Sequence, residues 1–226
     1  MPFNELLTML CETFLMTILS TFFAYLLGLP IGVILNITSK GGLRPNRVIN
    51  FILGGIVNIL RSIPCLIIIV ICIPVTRSLF NYGTGYWYTI LIPLVVASVG
   101  FVSRMVEQSL QDVPYGEIEA IKSLGATDFQ IVTKVLLPEA RVSLITGVAV
   151  VLVNVIGYTS FAYNIGAGGL ISGIYSFYRR NSGNYMSQIY FWMLIILVIV
   201  LVEGIQELGL FVAKKLDKRR KNKWKT

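Results

Sequence analysis

Few residues in this chain could carry chemistry, and their types exclude most of it. There is no histidine, so the sequence cannot build a Ser/His or Cys/His nucleophile, bind zinc through imidazole or relay a proton that way. Cys11, Cys65 and Cys72 are odd in number and show no CxxC spacing, which points to unpaired apolar packing and away from disulfide or metal chemistry. No GxxxxGK(S/T) phosphate loop is present, so the chain does not bind a nucleotide in the Walker manner. GAGG at 166–169 lacks both the GxGxxG spacing and a preceding strand. Carboxylates are absent from the interiors of the apolar runs except for Glu203 near one end, so an ion-coupled carrier would lack the buried acids it commonly uses.

What remains is recognition. Glu117–Ala140, EIEAIKSLGATDFQIVTKVLLPEA, is the one long, polar, well-punctuated segment. Ile118, Ile121 and Leu124 recur at helical spacing behind the acidic turn of Glu117 and Glu119, and Gly125 stands where such a helix needs a left-handed C-terminal residue. Thr127 and Gln130 have the spacing of a capping box opening a second helix. Phe129, Val132, Leu136 and Leu137 give it an apolar face, and Pro138 is expected to punctuate its end. The segment predicts two short helices over about 115–138, shaped to be gripped by another protein or, alternatively, folded back on the chain's own helices.

The elements that must position this hairpin are membrane spans. Apolar residues make up 55% of the 226 and charged residues only 13%, and the charges cluster instead of spreading as on a soluble surface. The pattern predicts an all-α polytopic membrane protein, a single transmembrane domain over 1–226, with five spans at about 13–39, 51–76, 86–104, 142–160 and 186–212. The first 39 residues hold no Lys or Arg, which reads as an uncleaved first span with its N-terminus outside. Tyr86, Trp87 and Tyr88 form an aromatic belt at the outer edge of the third span, and Arg104 marks its inner stop. Gly157–Tyr178 is uncharged and too Gly-rich for a plain lipid-facing helix, so its backbone should be covered by protein or line a water-filled path.

Arg61 lies at membrane depth or at its inner edge, because Ser62–Thr76 is only fifteen uncharged residues, short of the ~20 a crossing needs. Two readings stand open: snorkelling to the cytoplasmic interface, or a gating or interface role paired with a carboxylate such as Glu107 or Glu203.

Counting cations orients the chain. Lys40, Arg44, Arg47, Arg104, Lys122, Lys134, Arg141 and the eight basic residues after Val212 fall inside; Arg77, Arg179 and Arg180 fall outside. This places the C-terminus and the hairpin in the cytoplasm. The net charge of +8 belongs largely to that tail, and within 117–140 Lys122 and Lys134 face four acids, which argues against nucleic acid.

Glu119-Ala120, Gly125 six residues after Glu119, and Leu137-Pro138 match the EAA signature of ABC importer permease subunits. RSIP at 61–64, IPVTR at 73–77, RMVE at 104–107, GATDFQIVTKVLLPEA at 125–140 and GYTSF through GAGGL make the chain similar to the methionine permeases of that family, over roughly Thr13–Lys214. It departs from the signature at Ile121, where a second alanine is usual, and from the subgroup at Tyr163-Asn164 and across 175–183. The resemblance implies a homodimer in the bacterial cytoplasmic membrane, two copies of a cytoplasmic ABC ATPase carrying the ATP and Mg, and an extracytoplasmic substrate-binding lipoprotein. This chain itself would hold no cofactor. Ile118, Ala120, Ile121, Leu124 and Phe129 are the expected ATPase-packing contacts, with Glu119 holding the turn or meeting a basic residue of the ATPase and Gly125 permitting the bend. Asn154, Tyr158 and Phe161 are candidates for the methionine path. Open alternatives are another small amino acid or related solute, and an ATP-independent channel or carrier.

Overall fold

The computed structural model describes residues 3–179 and 185–216. Arg180, part of the altered stretch at 175–183, the first two residues of the expected outer N-terminus, and the tail from Asp217, with six of the eight C-terminal cations, lie outside the described residues. Among the described residues every regular element is helical. They run α1 Phe3–Thr38, α2 Arg47–Ser62, α3 Cys65–Phe80, α4 Leu91–Gln111, α5 Tyr115–Ser123, α6 Asp128–Ile131, α7 Leu137–Tyr158, α8 Gly169–Arg179 and α9 Tyr185–Leu216.

Among the described residues four stretches are long and apolar enough to cross a membrane: Phe3–Thr38, Trp87–Gln111, Asp128–Ile165 and Gln188–Leu216. The expected span over 51–76 is not one helix. It is broken between Ser62 and Cys65, and the pair α2–α3 makes a fifth crossing only if counted together. Pro64 explains the break: it has no N–H to continue α2 and disfavours a helical Ile63, while its own carbonyl accepts from Ile67 N (2.9 Å) and Ile68 N (3.2 Å) to open α3. Each half has 16 residues, a rise of about 24 Å, short of the ~30 Å hydrocarbon layer. The helix α4 itself continues past Arg104 to Gln111.

The chain groups into two compact units. The first comprises Met1–Ala24, Ile63–Ser98 and Val151–Gln206, the second Tyr25–Ser62, Val99–Val150 and Glu207 onward. In the first, Leu170, Phe177 and Leu194 form a core against Leu6, Met9, Leu10 and Tyr190. The Gly-rich stretch folds here into a tight 3-10 turn, Thr159–Ile165, followed by the short amphipathic α8. Its orphan N-terminal amides are capped from α1: Gly169 N–H donates to Glu12 Oε2 (2.8 Å) and Leu170 N–H to Thr13 Oγ1 (2.9 Å). Two of its backbone amides are thus satisfied by protein, while Gly157, Asn164 and Gly166 are exposed. In the second unit Leu35, Val57, Val102, Val106, Leu110, Ile131 and Leu136 are buried and carry α5 and α6 on their surface.

Candidate functional site: an exposed helical hairpin

α4 hands over at Pro114, whose ring holds φ at −58° and whose ψ of 129° is that of a residue just before a helix. α5 then ends in a Schellman turn. Gly125 N–H donates to Lys122 O (3.0 Å) and Ala126 N–H to Ile121 O (3.4 Å), with Gly125 at φ +80°. A side chain with a Cβ is disfavoured at that angle, so the glycine is required by the turn. The next residue but one opens α6: Gln130 N–H donates to Thr127 Oγ1 (3.4 Å) while Thr127 N–H donates to Gln130 Oε1 (2.9 Å), a reciprocal capping box. Asp128 also takes an ion pair from Arg44, tying the loop after α1 to the hairpin.

Beyond α6 the helix does not stop. Val132–Leu136 forms a wide π-turn in which Leu137 N–H donates to Val132 O, and Pro138 sits at the second position of α7. The expectation that Pro138 ends the second helix is therefore corrected. The π-turn shifts the hydrogen-bond register just where proline has no N–H to give, so the helix continues through it.

The apolar residues of the hairpin divide into two sets. Ile131, Val132, Val135 and Leu136 are buried and anchor it. Leu124 is 82% and Phe129 76% exposed, Tyr115 and Ala120 are exposed, and α5 has no buried residue at all. Phe129 therefore leaves the face that Val132 and Leu136 share. Ile118 and Ile121 are half-buried; Ile118 and the exposed Glu119 line a cavity of about 670 Å³ with Lys122, Lys40 and the buried Asn36. The Glu119 carbonyl accepts from Ser123 Oγ (2.9 Å), and Leu137 is half-buried with Pro138 exposed.

The other candidates are placed separately. Asn154, Tyr158 and Phe161 are half-buried along the end of α7 and the following turn. A recess of about 430 Å³ in the same unit is lined by Glu5, Glu12, Tyr163 and Ser172 among others, and by none of those three. Arg61 is exposed in the last turn of α2. Glu107, one of its two expected partners, is instead held by Arg104 Nη1 at 2.6 Å. Glu203, the other, is exposed on α9.

Residues 28–217 match the family described as the binding-protein-dependent transport system inner membrane component. The chain belongs to this family. It is similar to the probable D-methionine transport system permease protein MetI of Vibrio cholerae serotype O1, 38% identical over 216 residues, which is 95% of this chain and 93% of that one. The D-methionine transport system permease protein MetI of Escherichia coli K12 is 42% identical over 149 residues, 66% of this chain and 68% of that one. Among solved structures, one of the inward-facing MetNI methionine ABC transporter superposes with a TM-score of 0.90 at 35% identity, covering 96% of this chain and 98% of that chain. An amino acid ABC transporter solved with histidines, at 16% identity and a TM-score of 0.75, shares the fold alone.

As an inner membrane component of this family, the chain is a multi-pass helical transport protein and not a catalyst. Two features of this component escape sequence reasoning. Glu12 and Thr13 cap a helix 157 residues away, and Arg104 bonds α2 across 46 to 50 residues. Only the Arg104-x-x-Glu107 spacing, on one face of a helix, signalled the second.

Proposed function

We propose that this chain is the permease subunit of an ATP-driven methionine importer. It works as a homodimer with two cytoplasmic ATPase subunits, which carry the ATP and Mg, and an extracytoplasmic binding lipoprotein that delivers substrate. Five spans with the N-terminus outside and the C-terminus inside put the α5–α6 hairpin in the cytoplasm. The similarity to the methionine permeases, over nearly the whole chain, supports the substrate.

The observation that carries the mechanism is the exposure of Leu124 and Phe129 on a hairpin whose bend is locked by Gly125 and the Thr127–Gln130 capping box. Two large apolar side chains held rigidly outward are anchors for a groove in a partner, where a few buried contacts carry most of the binding energy. The buried Ile131, Val132 and Leu136 join that hairpin to the helices above it. ATPase closure would draw the two hairpins of the dimer together and rock the spans between inward- and outward-facing states.

The test is reconstitution of the permease with its ATPase and binding protein in vesicles. Methionine uptake should require ATP on the hairpin side and the binding protein on the other. Uptake or exchange by vesicles holding this chain alone would replace the proposal with a channel or carrier. Competition by other amino acids for the purified binding protein decides between methionine and a related solute.

A further inference from the structure

Arg104 is a charged residue in the middle of an apolar helix, and all three of its guanidinium nitrogens are used. Nε and Nη2 donate to Asn58 Oδ1 at 3.2 and 2.9 Å, and Nη2 also donates to Gly54 O at 3.1 Å, so both contacts fall on α2. Nη1 donates to Glu107 Oε2 at 2.6 Å, and Gln111 Nε2 donates to the other carboxylate oxygen at 3.4 Å. Glu107 is only 7% exposed. The group therefore bridges two helices, with its own charge balanced one turn further along α4.

The backbones come close beneath this bridge. A Cβ on Gly54 would lie 3.2 Å from Arg104 Nη2, and one on Gly100 would lie 3.1 Å from Leu60 Cβ and 3.2 Å from Val57 O. In lipid no hydrophobic drive holds two helices together; small residues at the contact and interhelical hydrogen bonds do it. Yet an ordinary hydroxyl or amide would serve as glue, and a buried ion pair stabilises no better than apolar packing of the same volume. What a planar guanidinium adds is a fixed direction on several acceptors at once, which a point charge such as lysine cannot supply.

α4 is also the helix that leads, through only Asp112, Val113 and Pro114, into α5. We propose that Arg104 is a positioning residue: it fastens α2 to α4, so that a displacement of the hairpin moves both helices as one body. This inference rests on the reading of the hairpin as the ATPase-docking element. It assigns to α2, which does not touch the partner in that reading, a share in the transport movement.

The experiment measures ATP hydrolysed per methionine taken up by the complete complex in vesicles, with the assembled complex quantified for each variant. Arg104→Lys keeps the charge opposite Glu107 but not the bracket on Asn58 and Gly54, and it should raise the ratio at least tenfold, as should Arg104→Gln. The double variant Arg104→Gln, Glu107→Gln removes the unbalanced charge and should stay uncoupled. Wild-type stoichiometry in Arg104→Lys, or recovery in the double variant, would show that Arg104 merely neutralises Glu107 and would overturn the inference. Should the Arg104 variants fail to assemble, Asn58→Ala provides the second arm. It should raise the ratio about threefold and Asn58→Asp, which keeps the acceptor, should not; no difference between them also overturns it. Co-purification separates this inference from the one beneath it. An ATPase that still binds when Leu124 and Phe129 are replaced by serine defeats the docking reading whatever Arg104 does.

Discussion

Gly125 is the residue on which the hairpin's shape depends most directly. At φ +80° a β-branched side chain is a genuine outlier, and holding one there costs about 1–3 kcal/mol. Gly125→Val should therefore relax the bend and raise ATP consumption per methionine transported, while the amount of protein inserted in the membrane stays at the wild-type level. Wild-type stoichiometry in that variant would remove the bend from the mechanism. Thr127→Ala probes the neighbouring cap. Losing the hydroxyl that accepts from Gln130 N–H should cost the hairpin about 1 kcal/mol and give a milder version of the same defect. Both features were readable from the residues alone, because a left-handed C-terminal glycine and a Thr-x-x-Gln box are decided within a few residues of chain.

At the scale of the element, the hairpin works as two faces of different chemistry. The face of Ile131, Val132, Val135 and Leu136 is buried in the chain, while Leu124 and Phe129 stand exposed, the two points that the proposed docking would use. Replacing Leu124 and Phe129 by serine should leave the second unit folded and weaken ATPase binding, by about 2 kcal/mol for each anchor, roughly 30-fold in affinity. Pull-down of the ATPase at graded concentration measures it, and unchanged retention would place the docking surface elsewhere. The helical period assigned Phe129 to the same face as Val132 and Leu136, yet the structure turns it outward. The buried face is centred on Ile131, Val132, Val135 and Leu136, and at 3.6 residues per turn Phe129 falls at its edge, so a face read from Val132 and Leu136 alone drew it too far round.

For the whole molecule, the apolar runs were legible, and their interruptions were not. Pro30 and Pro74 lie inside helices, Pro138 sits in the first turn of one, and Pro64 breaks one. The same residue type has these outcomes because neighbouring groups, distant in sequence, decide whether the freed carbonyl finds another partner. The Arg104 bracket and the Glu12 cap on α8 are invisible for the same reason: 46 to 157 residues separate their partners. The candidates Asn154, Tyr158 and Phe161 rest on chain position alone, and a path along a dimer axis is set by a second copy. Orientation of the whole can be checked chemically. With Cys11→Ser removing the exposed native thiol, Tyr115→Cys should react with a membrane-impermeant maleimide in inside-out vesicles and not in intact cells. Labelling from the outside would invert the topology.

The absence of any buried residue on α5 has a consequence for how the assembled importer holds together. A nine-residue helix is too short to persist on its own propensity, and this one has no side-chain cap at its N-terminus and only half-buried apolar residues, Ile118 and Ile121, to hold it. Its amides should be among the first in the molecule to exchange with deuterated water when the permease stands alone, since local opening there releases no fully buried side chain. Bound ATPase should slow that exchange across Tyr115–Ala126 well beyond the slowing in α4. Assembly would then be the final folding step of the permease: the motor completes a helix that the membrane subunit only sketches, and its grip tightens on a segment it has itself stabilised.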